Sequence, residues 1–132
     1  MLLKPEKLVG VHPHLVRVIE QAAKDSETDI QVLEGVRTKE RQEYLVKTGA
    51  SKTLDSRHIP GADGFGKAVD VCPVLDTDGD GDKEPSWHWP HYDALAGVVK
   101  AAAVKVGIEV EWGGDWKFKD GPHWQLPRKL YP

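Results

Sequence analysis

The side chains in this sequence best suited to chemistry are two histidines and an aspartate. His58 stands in the Gly/Pro-rich stretch Ser56-Arg57-His58-Ile59-Pro60-Gly61, and Asp70 interrupts the apolar run Ala68–Val74. A carboxylate in a buried strand needs a partner or a metal. His123 follows far downstream in Asp120-Gly121-Pro122-His123-Trp124. Two imidazoles and one carboxylate match a catalytic zinc site, which takes three protein ligands and keeps a fourth position for water. Zinc there would polarise a carbonyl and bring the pKa of bound water towards about 7. Asp120, just before His123, is a candidate general base, and Arg37 offers a fixed positive charge for a developing oxyanion. Spacing alone leaves alternatives open, because each histidine taken singly also reads as a surface or hydrogen-bonded residue. That blander reading is preferred for His12, His14, His88 and His91, with a second metal site as the other reading of His88 and His91.

A second group of oxygens lies in Asp76-Thr77-Asp78-Gly79-Asp80-Gly81-Asp82. Asp76, Asp78 and Asp80, with Gly81 in sixth place, match the first half of an EF-hand calcium loop. The twelfth place holds Trp87, which has no carboxylate, although Asp82 and Glu84 add oxygens nearby. The segment reads either as a shortened, weaker Ca2+ site or as a solvated acidic turn. The tryptophans Trp87, Trp89, Trp112, Trp116 and Trp124 read as core and cleft wall in preference to a sugar platform. Cys72 lies in an apolar run and reads as a small buried hydrophobe.

Elements must hold these residues in place. From Pro13, the residues Leu15, Val16, Val18, Ile19, Ala22 and Ala23 recur at helical spacing, predicting an amphipathic helix to about Lys24. Ile30, Val32 and Leu33 predict a short strand ending at Gly35. Thr38 is a candidate cap for a helix to about Lys47, with Gly49 beyond it. The long loop Ala50–Gly66 carries His58 and leads into Ala68–Val74, whose apolar content predicts a central strand. Pro90 suits the first turn of a third helix that runs to about Val106 and stops at Gly107. Strands are expected at Ile108–Trp112 and His123–Leu126, and Met1–Gly10 reads as a lead-in. Helices and strands mixed without a regular βαβ period predict an α+β fold.

At 132 residues the chain has the size of one domain able to bury a core. A net charge of −3 supplies no field to draw nucleic acid or anionic lipid, so neither is an expected partner. One cysteine excludes an internal disulfide. No early apolar run is long enough for a signal peptide or a membrane span. Stable membrane insertion is therefore not expected, and a target outside the cytoplasm would require delivery by another agent.

Taken in order, Ser56-x-His58, Gly66-x-Ala68-x-Asp70 and Asp120-Gly121-Pro122-His123 resemble the zinc peptidases of the D-alanyl-D-alanine carboxypeptidase and VanY type. Within that group the chain looks most like the phage endolysins that are L-alanyl-D-glutamate endopeptidases. Gly35-Val36-Arg37-Thr38 followed by Gln42 resembles the family's Gly-x-Arg-Ser/Thr segment. Glu111-Trp112-Gly113-Gly114-Asp115-Trp116 resembles its Trp-Gly-Gly-Asp-Trp run. The resemblance spans roughly residues 10 to 127. It implies a small α+β domain of the Hedgehog/DD-peptidase-like kind, an antiparallel sheet flanked by helices, filling residues 1–132 without a separate wall-binding domain.

The resemblance further implies that His58, Asp70 and His123 bind Zn2+, that Asp120 is the general base and that Arg37 polarises the substrate. It places Ser56 and Gln42 near the substrate, with a turn-forming hydroxyl as the alternative for Ser56. The implied reaction is hydrolysis of the L-Ala–D-Glu amide of a peptidoglycan stem peptide. The implied setting is a monomer made in the host cytoplasm that reaches the periplasmic wall through a holin pore. Calcium-responsive relatives bear on Asp76, Asp78 and Asp80. A D-Ala-D-Ala carboxypeptidase or dipeptidase would use the same ligands, and a non-catalytic metal-binding wall module is the alternative outside the enzymes. The segment Pro60–Phe65 is longer than in the shortest family versions, which bears on the shape of the cleft wall.

Overall fold

A computed structural model describes residues 1–51, 53 and 55–132, so Lys52 and Leu54 of the expected loop lie outside the described residues. The element that organises the fold is strand β3 (Ala68–Leu75). Its Ala68, Val69, Val71, Cys72 and Val74 are buried, and Asp70 is the one charged residue in the run. Strand β2 (Asp29–Glu34) pairs antiparallel along one edge of β3, and β6 (His123–Gln125) pairs antiparallel along the other. Beyond them lie β1 (Leu2–Leu3) and β5 (Glu111–Trp112), giving the order β1-β2-β3-β6-β5. The short β4 (Glu84–Pro85) joins the far end of β3.

This α+β architecture upholds the expected class, with one correction. β1 runs parallel to β2, Leu2 opposite Ile30, so the sheet is mixed and not wholly antiparallel. The two-residue strand has no alternation to betray it; Leu2 and Leu3 pack on the core and the amino terminus meets Asp29 at 3.2 Å.

Helix α1 (Pro13–Asp25) begins where Pro13 sets its first turn and His12 Nδ1 accepts from the His14 backbone N–H. Its buried Leu15, Val18, Ile19, Ala22 and Ala23 meet α3 (Trp89–Val106), which contributes Tyr92, Leu95, Ala96, Val99 and Ala102. Helix α2 (Lys39–Lys47) is capped by Thr38, whose hydroxyl accepts from Arg41 N–H at 3.0 Å. Gly107 ends α3 in the left-handed conformation, and Ile108 N–H donates to Ala103 O. That cap is why the expected strand Ile108–Trp112 shortens to Glu111–Trp112: Ile108 N–H serves the helix end and not a ladder. Trp89, Trp112 and Trp124 stack in succession at 5.7 and 5.8 Å, and Trp112 Nε1 donates to Gly121 O. Cys72 is buried and free, and burial pushes its thiol up to about 11, so it is the inert small hydrophobe expected.

Candidate metal centre and cleft

Sheet register brings two of the three candidate ligands together. Asp70 lies directly opposite His123 across the β3–β6 pair, and opposite Glu34 across β2–β3, where a bulge between Val32 and Glu34 shifts the ladder. Directly opposed residues in an antiparallel pair project from the same face. His58 arrives from the loop, whose backbone is tied down at several points. Arg37 N–H donates to His58 O at 2.9 Å, Lys67 N–H donates to Arg57 O at 2.7 Å, and Ser56 Oγ accepts from His58 N–H at 3.2 Å.

Asp70 Oδ1 stands 3.3 Å from both His58 Nε2 and His123 Nδ1. The three ligand atoms lie within 4.8 Å of one another. Each imidazole has its other nitrogen engaged. His58 Nδ1 is 2.8 Å from Gly35 O, and a carbonyl can only accept, so Nδ1 carries the proton and Nε2 is left as a lone-pair donor. His123 Nε2 donates to Gln125 Oε1 at 2.8 Å, and Gln125 Nε2 donates to Glu111 at 3.1 Å. Glu111 fixes the amide orientation, and with it the tautomer that frees His123 Nδ1. Asp70 Oδ1 is buried with no hydrogen-bond partner, which is costly for a carboxylate unless a cation sits beside it. The residues fit a metal ion.

Burial opposes ionisation of Asp70, yet the close approach and charges of His123 and His58 prevail and hold it far below the usual carboxylate range. Burial likewise works against protonating His123, but Asp70 outweighs it and raises its pKa. For Asp120 the enclosing protein and the Asp70 charge push the pKa up, against His123, His58 and Arg37. Asp120 lies at the cleft wall, its backbone N–H bonded to Gly113 O at 2.9 Å. A Cβ on Gly113 would approach Asp120 O to 2.4 Å, so only glycine permits this packing. Gly35 is similarly constrained, with Lys7 O where a Cβ would stand.

The cleft encloses about 810 Å³, and its wall includes Arg37, Ser56, Arg57, His58, Asp70, Trp116, Asp120 and His123. Arg37 forms a two-pronged pair with Glu34 at 2.7 and 2.9 Å, while its Nη2 lies 3.9 Å from Asp70 Oδ2. Ser56 Oγ sits 3.5 Å from Arg37 Nη1. Gln42, expected near substrate, is only 1% exposed and does not line the cleft. Its side chain accepts from Arg37 Nη1 at 2.8 Å and donates to Ser51 Oγ and Thr53 O, so it holds Arg37 from behind. Sequence reasoning missed Glu34, Glu111 and Gln125, whose roles arise from strand pairing; nearness in the chain to Arg37 and His123 was the available signal for Glu34 and Gln125, and Glu111 had none.

The long segment Pro60–Phe65 turns away from the cleft. Gly61 N–H bonds Phe65 O, Asp63 takes Phe65 N–H and Lys67 Nζ, and the Phe65 ring lies 5.5 Å from His12. Asp76, Asp78 and Asp80 do cluster, with Glu84. Their oxygens already accept from the turn's own backbone: Asp76 from Gly79 and Gly81, Asp78 from Asp80, Asp80 from Asp82, while Glu84 takes Thr77. Those bonds account for the turn, and no cation is assigned to it. His88 and His91 do not join a ligand group among the described residues; His91 Nδ1 pairs with Ser86 Oγ.

Fold and site together define a class: an α+β domain in which Asp70 of the central strand, His123 of the strand beside it and His58 of the preceding loop form a candidate ligand set in an open cleft. The chain belongs to the phage L-alanyl-D-glutamate peptidase family, whose model matches residues 4–131. It is 34% identical over 104 residues to an L-alanyl-D-glutamate peptidase of Listeria phage A118, covering 78% of this chain and 32% of that protein. The chain therefore spans about a third of the length of that relative. It is 27% identical to the L-alanyl-D-glutamate peptidase of Escherichia phage T5, covering 96% of this chain and 87% of that protein. The crystal structure of the Serratia marcescens L-Ala D-Glu endopeptidase ChiX matches with a TM-score of 0.84 at 43% identity, covering 100% of this chain and 94% of that one.

Proposed function

We propose that the protein is a zinc endopeptidase cleaving the L-Ala–D-Glu bond of peptidoglycan stem peptides. The observation that carries the reading is the convergence, in a chain of this family, of a hydrogen-bond-free Asp70 oxygen and one freed nitrogen from each of His58 and His123. Imidazole and carboxylate donors accept several metals, and zinc is favoured because amide hydrolysis needs no redox change. Zinc, when bound, supplies Lewis acidity to the scissile carbonyl and lowers the pKa of water.

Gly35 O and Gln125 orient the two imidazoles so that His58 Nε2 and His123 Nδ1 face Asp70. Asp120, on the cleft wall, takes the proton of the attacking water on its carboxylate and returns it to the leaving amine. Arg37, held by Glu34 and Gln42, offers its charge to the carbonyl oxygen as negative charge develops there. Gln42 is thus a positioning residue, and the Ser56 hydroxyl shares the cleft wall with Arg37. The proposed setting is the periplasmic wall of an infected host, reached as a monomer through a holin pore; of this, the phage relatives support action on the cell wall. No helix among the described residues is long and apolar enough to cross a membrane.

Digestion of purified peptidoglycan with mass analysis of the new termini tests the reading. New amino-terminal D-Glu is expected. Free D-Ala would instead favour the carboxypeptidase alternative, and bound metal without any cleavage would favour the wall module.

A further inference from the structure

The half-buried Arg37 and the buried Lys67 are matched by carboxylates, Arg37 by Glu34 at 2.7 Å and Lys67 by Asp63 at 2.5 Å. Arg57 is different. It is half-buried on the cleft wall beside His58, and no carboxylate pairs with it among the described residues. Its Nη2 donates to the backbone oxygens of Leu126 and Tyr131 at 2.7 and 2.8 Å, and its buried Nε has no acceptor. Neutral carbonyls fix the guanidinium in place, and Glu111, Asp55 and Asp63 act on its charge only from beyond ion-pair distance.

Arg128 lines the same cleft and adds a second positive charge; burial and that charge both depress the Arg57 pKa. Arg128 reaches Asp55 at 3.2 Å, but Asp55 is 80% exposed, so water screens the pair. Elsewhere in the cleft, Glu34 is engaged by Arg37 and Asp70 by the histidines. What remains is a positive corner with one fixed, partly desolvated guanidinium and a more exposed one next to it. Arg57 Nη1 is the nitrogen left to a ligand, and with the Arg128 charge beside it the corner suits an anion bound by charge-assisted hydrogen bonds.

We infer that Arg57 and Arg128 form a carboxylate-binding corner of the cleft that takes a carboxylate of the substrate peptide. This rests on the peptidase reading above. A D-glutamyl residue has one carboxylate outside its amide linkages, and the peptide's terminal carboxylate is the other source of the same chemistry.

The test compares three synthetic stem peptides: fully acidic, amidated only at the free D-Glu carboxylate, and amidated only at the terminal carboxylate. With wild-type enzyme, amidating the recognised group should lower kcat/KM by about tenfold or more, chiefly through KM. In Arg57→Gln and in Arg128→Gln that acidic-to-amidated ratio should collapse towards one, and the amide that mimics the variants names the carboxylate. Should Arg57→Gln fail to fold, the exposed Arg128→Gln decides. Equal losses on acidic and amidated peptides, or a wild type indifferent to both amidations, would overturn the corner while leaving the peptidase intact. A wild type that cleaves none of the three overturns the peptidase reading itself, and the corner with it.

Discussion

His123 and Asp120 stand close in the chain, yet the proposed mechanism gives them separable tasks. His123→Ala removes a ligand atom and is expected to abolish metal retention and wall degradation together, read by metal analysis beside a digest. Asp120→Ala leaves the three ligand atoms untouched, so it should keep its metal while losing about 10²–10⁴-fold in rate. Wild-type turnover in that variant would sink the assignment of Asp120 as base. Gln125 touches the site only through the far nitrogen of His123. Gln125→Leu should therefore weaken metal affinity by about 10–100-fold in a chelator competition, and unchanged affinity would mean that the ring is oriented without it. The candidate ligands were legible because their types and order are unusual. Their supports were not: Glu34, Glu111 and Gln125 are ordinary polar residues until strand pairing sets them against Arg37 and His123.

At the scale of elements, the register of β3 against β6 decides whether a site exists at all, since it sets Asp70 opposite His123. The turn before β6 is equally constrained. Gly113→Ala would press a methyl group against Asp120 O and the His123 Cβ. Overpacking of this kind costs about 1–3 kcal/mol, so a lowered Tm and reduced activity are expected together; an unchanged Tm would show that the turn yields easily. The helices and β3 were readable from periodicity, since the capping residues Thr38 and Gly107 and the apolar run of β3 state their own roles. β1 and β4 were not readable, because strands of two residues carry no pattern and exist only through their partners. Gln42 shows the same limit from another side: a motif marked it, but only the packing of α2 reveals that it faces Arg37 and not the cleft.

Across the whole molecule, the candidate ligand set sits at the edge of a core it does not build. Leu15, Ile19, Val69, Val71, Val99, Trp124 and their neighbours are buried independently of His58, Asp70 and His123. Removing the metal with a chelator should therefore abolish activity, leave the far-UV circular dichroism in place, and be reversed by added Zn2+. It should also lower Tm, because a ligand that binds only the folded state stabilises it. Collapse of the secondary structure on chelation would mean that the ion is structural. The most direct test of the central claim pairs zinc stoichiometry with mass analysis of peptidoglycan termini for wild type and His123→Ala. The prediction is about one zinc per wild-type chain with new amino-terminal D-Glu, and neither from the variant. D-Glu termini released at the wild-type rate by a zinc-free His123→Ala would contradict it.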